Sequence, residues 1–168
     1  VTLSELELNA LEETTRLDLL NKGLTNLYGI EVYSNLKNLT CSGSPGLTKI
    51  DVSKLTKLET LYCASCALTE LNVTGLSNLQ ILSCCQNQLT ELNLAGLTSL
   101  RILNCHENKL TELDISMLPA LNTLRCGKQE LPSGVSALSL YMTEEQYSTM
   151  WPDNQGWAEN YGVRAYKK

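Results

Sequence analysis

The sequence predicts an α/β protein that is built as a solenoid of stacked repeats, with a parallel β-sheet along one face. The amino-acid composition gives the first indication of this fold class. Leucine makes up about a fifth of the 168 residues, while phenylalanine is absent and aromatic residues reach only 5%. A core filled mainly by one residue type indicates that the same packing environment recurs along the chain.

The second indication is a repeat of 21 or 22 residues that is clear from Leu36 onward. Each unit reads approximately L-x-x-L-x-C-x-x-N-x-L-T-x-L, and alternate residues of its first half would point to one side of a strand. One unit cannot bury its apolar side alone, so the units are expected to stack with their strands paired in parallel. An earlier unit begins at Thr14, and a last one is cut short near Gly134. Successive units open at Leu36, Leu58, Leu79, Leu100 and Leu121.

This repeat resembles the leucine-rich-repeat family, in particular its internalin-like members and the surface proteins of Bacteroidetes. The resemblance covers residues 14–129 and implies a right-handed leucine-rich-repeat solenoid. The family's ladder asparagine, whose side chain bonds backbone groups of the turn, occurs here at Asn87 and Asn108. An extra residue in the turn 44–46 accounts for a 22-residue interval, and we expect a local bulge there. The ladder asparagine is replaced in other units by Ser44, Cys66 and Gln129.

Both ends of the solenoid are expected to carry caps, because an uncovered terminal coil would expose unpaired strand edges. At the N-terminus, Thr2 and Ser4 each lie three residues before a glutamate, a capping-box pattern that predicts a helix over about residues 3–12. The predicted organisation is an N-terminal helical cap (1–13), repeats of 21–22 residues (14–134) and a C-terminal cap (135–168).

The C-terminal cap is predicted to run strand, helix, strand. Leu138 and Leu140 repeat the strand pattern once more, and Thr143 with Gln146 forms another capping-box pair that opens a short helix. A polar loop then leads to residues 163–166, which alternate like a final strand.

The cysteines are predicted to be free thiols in the core. Adjacent parallel strands lie about 4.8 Å apart, which permits a disulfide, but side chains in register point the same way rather than toward each other. Disulfides and a metal site are the less favoured alternatives, since zinc needs four converging ligands and Cys63-x-x-Cys66 supplies two. A buried free cysteine packs as a small apolar residue. One cysteine of each unit occupies the same inward strand position: Cys41, Cys63, Cys84, Cys105 and Cys126.

The sequence contains a candidate nucleophile at the predicted exposed end of two neighbouring strands. Cys85 and His106 follow the ladder cysteines of consecutive units, with Glu107 beside them, and a thiol next to an imidazole is the outline of a cysteine nucleophile. However, nothing in the sequence supplies an oxyanion site, and an open strand face does not exclude water. We therefore predict that the chain is not an enzyme and needs no cofactor or metal.

Charge and hydropathy restrict the partners. A net charge of −5 and scattered lysines and arginines argue against nucleic acid, which requires a basic stripe. A row formed by Glu70, Glu91 and Glu112 is interpreted as solvated, with a weakly bound cation as the alternative.

No apolar stretch approaches the ~18 residues of a membrane-spanning helix. Because the chain begins at Val1 without a methionine, we interpret it as a trimmed or processed piece, without the signal or anchor segment.

The resemblance implies a monomeric, extracellular or cell-surface protein-binding module, and the residues suggest where it binds. Ile81 and Ile102 are predicted to lie side by side on the outer strand face, and an apolar centre ringed by tyrosine and arginine is typical of interfaces. Isoleucine that merely stabilises an exposed strand is the alternative. A glycan-binding or structural spacer module of a lipoprotein is the alternative function. The predicted partner-binding residues are Tyr62, Ile81, Arg101, Ile102, Asn104 and Arg125.

Overall fold

A computed structural model describes residues 10–150 and 162–168 as a parallel β-solenoid. The six-stranded sheet on one side, here called the front sheet, has the order β1-β2-β4-β6-β7-β9. The strands of the described residues are β1 (Arg16–Asp18), β2 (Asn38–Thr40), β3 (Lys49–Asp51), β4 (Thr60–Tyr62), β5 (Glu70–Asn72), β6 (Ile81–Ser83), β7 (Ile102–Asn104), β8 (Glu112–Asp114), β9 (Thr123–Arg125), β10 (Leu138–Met142) and β11 (Val163–Lys167).

The register of the front sheet confirms the predicted repeat. All of its neighbouring strands pair in parallel, and the central leucine of each strand faces the central leucine of the next. These leucines and the five cysteines at the inward strand position, here called the column cysteines, belong to one continuous apolar core. Every coil therefore buries the same kind of side chains against its neighbours. The central residues in register are Leu17, Leu39, Leu61, Leu82, Leu103 and Leu124.

The extra residue lies where the sequence predicts it. On the front sheet, Asn38 pairs with Thr60, an offset of 22 residues, whereas on the opposite side Lys49 pairs with Glu70, an offset of 21. The additional residue must therefore sit between β2 and β3, in the segment that contains the turn 44–46. The bulge is absorbed within one turn and leaves the core leucines of both coils buried.

The back side of the solenoid carries short strands that the sequence did not indicate. β3 pairs with β5, and β8 pairs with β10, which in turn pairs with β11. Residues 91–93 separate these two sheets and are not in a strand, although they repeat the Glu-Leu-Asn sequence of β5. The cap strand β10 therefore extends the back side beside β8 rather than the front sheet beside β9.

The C-terminal helix α1 (Glu144–Met150) begins with the predicted capping box. The backbone N–H of Thr143 donates to Oε1 of Gln146 at 2.9 Å, and the N–H of Gln146 donates to Oγ1 of Thr143 at 3.1 Å. Nε2 of Gln146 also donates to the carbonyl oxygens of Ile115 and Leu118, which ties the cap to the last coils. At the other end, residues 10–13 are helical. The rest of the predicted N-terminal helix and most of the 151–162 loop lie outside the described residues.

A ladder of side chains fixes the turns after β4, β6, β7 and β9. The chain leaves every strand of the front sheet through one residue with a left-handed backbone, at φ angles between 54° and 71°. Only one of the six is glycine, and a left-handed non-glycine residue costs about 1 kcal/mol or more. At four of these six turns the side chain of the next residue donates to carbonyl oxygens of the turn; these residues are Cys66, Asn87, Asn108 and Gln129. The left-handed residues are Asn21, Gly43, Ser65, Gln86, Glu107 and Lys128.

Asn87 illustrates this ladder. Its Nδ2 donates to the carbonyl oxygens of Cys63 at 2.9 Å, Cys84 at 3.0 Å and Cys85 at 3.2 Å, while its Oδ1 accepts the N–H of Leu68 at 3.0 Å. The side chain thus joins two consecutive coils as well as closing its own turn.

None of the helices among the described residues has the length and apolar character that a bilayer crossing requires.

Candidate functional site

The front surface, meaning the solvent-facing side of the front sheet, brings the two predicted isoleucines together. Ile81 on β6 and Ile102 on β7 are register partners on adjacent strands. Ile102 is 36% exposed, and Ile81 is half-buried. Tyr62 stands one strand before Ile81, on β4, and is 40% exposed. Large apolar side chains therefore lie open to solvent across three neighbouring strands of the same sheet.

Two arginines flank the isoleucine pair. Arg101 is exposed directly before β7, and Arg125 is exposed on β9, in register with Asn104 of β7. Neither arginine forms an ion pair with a carboxylate of the described residues, in contrast to Lys37, whose Nζ lies 2.8 Å from Oε1 of Glu59. The C-terminal half of the front surface therefore presents guanidinium groups that form no ion pair with the described carboxylates.

Asn104 is less available than the sequence suggests. Its side chain is half-buried, and its Oδ1 lies 2.5 Å from Nδ1 of His106, two residues along the chain. The imidazole also approaches Glu107, with 3.8 Å between Nε2 and Oε1. The contribution of Asn104 to binding is therefore expected to be smaller than that of the arginines.

The thiol of Cys85 and the imidazole of His106, which form the candidate nucleophile, do not bond to each other. Sγ of Cys85 contacts Oγ of Ser83 at 3.7 Å, whereas His106 is engaged by Asn104 and Glu107. Cys85 is also 8% exposed, so the expectation that it occupies an exposed strand end was wrong.

A row of polar side chains along the turn edge was missed by sequence reasoning. Oγ of Ser65 donates to Oε1 of Gln86 at 2.7 Å, and Nε2 of Gln86 donates to Oε2 of Glu107 at 3.0 Å. Nζ of Lys128 lies 3.9 Å from Oε1 of Glu107. The sequence signal that identifies this row is its spacing, because each member directly precedes a ladder residue. The row borders the front surface with groups that already satisfy one another.

The acidic row lies on the back side, as expected for a solvated face. Glu70 pairs with Lys49 at 2.6 Å between Oε1 and Nζ, and both side chains are largely exposed. Among the residues of the described ranges, no three His, Cys, Asp or Glu side chains converge as metal ligands. An exposed ion pair of this kind contributes little to stability.

Solved structures with a similar fold come from Listeria monocytogenes. An internalin, InlF, matches with a TM-score of 0.63 and 25% identity over 82% of this chain and 43% of that chain. This chain has the internalin-like leucine-rich-repeat fold. The functional domain of InlJ, which includes a cysteine ladder, matches with a TM-score of 0.57 and 28% identity over 81% of this chain and 37% of that one. The chain spans less than half the length of either protein. No family model matches it, and no curated protein matches it by sequence.

The internalin-like core of this chain contains its own column of cysteines, and all seven cysteines are free. Burial raises the pKa of Cys84 and Cys126 from 9.0 to about 12, and burial also raises the pKa of Cys63 and Cys105 well above 9.0. Because a thiol reacts through its thiolate, these side chains are inert packing groups while the chain is folded. The five column cysteines are completely buried.

Cys66 is expected to be the first thiol to react with iodoacetamide in the folded protein. Burial raises the pKa of Cys66 too, but Cys66 is half-buried at a ladder position whereas the other six cysteines are buried, so access of the reagent decides the order of reaction. Mass spectrometry of the native protein should find one label at Cys66 at least about tenfold faster than any other. Labelling in denaturant without reductant should add seven. Fast labelling of Cys85 instead, or fewer than seven labels in denaturant, would contradict the free, buried column.

Proposed function

We propose that this chain is a non-enzymatic, protein-binding module of a secreted or surface-anchored bacterial protein, and that the front surface of its internalin-like solenoid contacts the partner. The observation that carries this proposal is the pairing of Ile81 with Ile102 on adjacent strands beside exposed Tyr62. Aliphatic and aromatic side chains grouped at the middle of a rigid sheet have the composition of the centre of an interface.

Energetics favour this interpretation over a purely structural role. Covering an apolar side chain contributes roughly 25 cal/mol for each Å² removed from water, and this gain remains unused while Ile102 and Tyr62 face solvent. Isoleucine favours strands wherever they lie, but β propensity alone explains neither the exposed tyrosine nor the unpaired arginines next to the pair. The front sheet is rigid, since its strands are paired in parallel and each packs a central leucine in or against the core, so little ordering is needed on binding.

Changing Ile102→Asp is expected to weaken partner binding by about 2 kcal/mol or more, which corresponds to roughly thirtyfold in Kd. The carboxylate would replace a central apolar contact with a charge that the partner must desolvate. Met117→Asp is a matched control, because Met117 is 73% exposed and lies in a turn away from the front sheet. The immobilised wild-type chain and both variants would capture proteins from the surroundings of the source bacterium, and calorimetry would give the Kd of a captured protein.

Three outcomes would redirect the assignment. A partner that binds wild type and the folded Ile102→Asp variant equally would move the site away from the front surface. Binding of a glycan that survives this change, on an array of carbohydrates, would favour the glycan-binding alternative. A spacer role would be favoured if neither kind of ligand is captured by any variant.

A further inference from the structure

We infer that the partner segment that lies on the front surface is acidic, with carboxylates on both sides of an apolar side chain that covers Ile102. This inference rests on the proposed function and adds the chemistry of the partner to it. It follows from the way in which the chain pairs its own charges, from the placement of two arginines, and from the state of the nearby carboxylates.

Arginines and lysines of this chain behave differently. Six of the nine lysines lie within ion-pair distance of a carboxylate, whereas none of the four arginines does so within the part of the chain that the structure describes. Arginine is the residue best suited to hold a carboxylate, since its planar guanidinium donates two parallel hydrogen bonds. Arg16, Arg101 and Arg125 belong to the front sheet or its immediate border, and Arg164 lies on β11.

The positions of Arg101 and Arg125 frame the apolar centre. Arg101 directly precedes Ile102, and Arg125 is in register with Asn104, two residues beyond Ile102 on the same strand. From strand geometry, the two arginines lie about 11 Å apart at their Cα atoms, since three residues span about 10 Å along a strand and strands are about 4.8 Å apart. Residues i, i+2 and i+4 of an extended segment share one face and span about 13 Å, so carboxylates at the two ends could reach the two long arginine side chains while the side chain between them would lie over Ile102.

Carboxylates near this site do not neutralise the arginines. Glu107 accepts a hydrogen bond from Gln86 at 3.0 Å and lies within 3.9 Å of Lys128. Glu59 pairs with Lys37. The chain as a whole carries a net charge of −5, so the two free arginines form a local positive region on an acidic protein. A long polyanion would meet repulsion outside this region, whereas a short acidic segment would not.

A random peptide library displayed on phage tests the inference without a known partner. The wild-type chain should enrich peptides that carry acidic residues on both sides of an apolar residue. Fluorescence anisotropy would then measure the Kd of a synthetic enriched peptide. The double variant Arg101→Ala/Arg125→Ala should weaken binding by about tenfold or more, and raising the salt from about 0.05 M to about 0.5 M should weaken wild-type binding as well.

Arg164→Ala is the matched control, because it removes an equally unpaired arginine on β11 and should leave the Kd unchanged. Circular dichroism and urea unfolding verify that each variant is folded. Loss of peptide binding in Ile102→Asp but not in the double arginine variant would overturn the acidic partner and leave the proposed function intact. Equal binding by all variants would contradict both. Enrichment of neutral or basic peptides, no enrichment, or binding of polygalacturonate alone would also overturn the inference.

Discussion

Replacing Asn108 with leucine is expected to lower the free energy of unfolding by about 4 kcal/mol, because several buried backbone groups lose their partner at once. Oδ1 of Asn108 accepts the N–H of Leu89 at 3.0 Å, and its Nδ2 donates to the carbonyl oxygens of Cys84 and Cys105, both at 3.0 Å. Asn108 is completely buried, so water cannot replace the lost bonds. Urea unfolding followed by circular dichroism measures the difference.

Asn78→Leu is the matched control for this change. Asn78 is exposed and donates one hydrogen bond, from Nδ2 to the carbonyl oxygen of Thr56 at 2.9 Å, so its replacement should alter stability by less than about 0.5 kcal/mol. Asn108→Gln is a second variant whose free energy of unfolding can be compared, because Gln129 makes the equivalent hydrogen bonds in the next coil. A loss below about 1 kcal/mol for Asn108→Leu would show that the ladder does not hold the coils together.

Gln129 shows what sequence reasoning could and could not establish about this ladder. The family pattern identified the five ladder positions, but a glutamine there counts as a departure. In the structure, Oε1 of Gln129 accepts the N–H of Leu110 at 3.0 Å, and Nε2 donates to Cys105 and Cys126. One additional methylene is accommodated because Gln129 remains partly exposed at the end of the ladder. Ser44, at the opposite end, is buried and its Oγ makes no hydrogen bond.

The front sheet was predictable because every coil repeats the same apolar positions, and a register error of one residue would turn the leucines to solvent. The back strands were not, because a strand does not form at the same position of every coil on that side. Identical Glu-Leu-Asn segments form β5 at Glu70–Asn72 but no strand at 91–93, so local sequence does not decide the outcome there. Tertiary context overrides strand propensity at such positions.

The placement of the candidate site residues was predictable from the sequence, but their side-chain contacts were less so. Register alone puts Ile81 beside Ile102 and Asn104 beside Arg125, so the rows deduced from the repeat agree with the structure. Side-chain orientation does not follow from the repeat. Neither the contact between Asn104 and His106 nor the inward position of Cys85 could be deduced from spacing, since each depends on the rotamers and volumes of the surrounding side chains.

The cysteine column is expected to make the fold sensitive to alkaline pH. Burial raises the pKa of Cys41, Cys84 and Cys126 to about 12, against an ordinary value of 9.0, and raises the pKa of Cys63 and Cys105 as well. Below pH 9 the thiols are protonated in both states, and their burial is fully tolerated. Above pH 9 the unfolded chain releases protons that the folded chain keeps. The free energy of unfolding therefore falls as the pH rises from 9 toward 12.

Each column thiol should lower the free energy of unfolding by about 1 kcal/mol between pH 9 and pH 10, which gives about 5 kcal/mol for the five together. Urea midpoints measured at pH 8, 9 and 10 in the presence of reductant would establish this dependence.

Cys105→Ala separates the thiol from lysines and tyrosines that titrate in the same range. This variant creates a small cavity and should be less stable than wild type at pH 8, but its deficit should shrink by about 1 kcal/mol at pH 10, because one buried thiol no longer resists ionisation. Cys66→Ala, which removes the half-buried cysteine outside the column, should change the pH dependence less. A deficit for Cys105→Ala that is the same at pH 8 and pH 10 would mean that the buried thiols do not govern the alkaline limit of this fold.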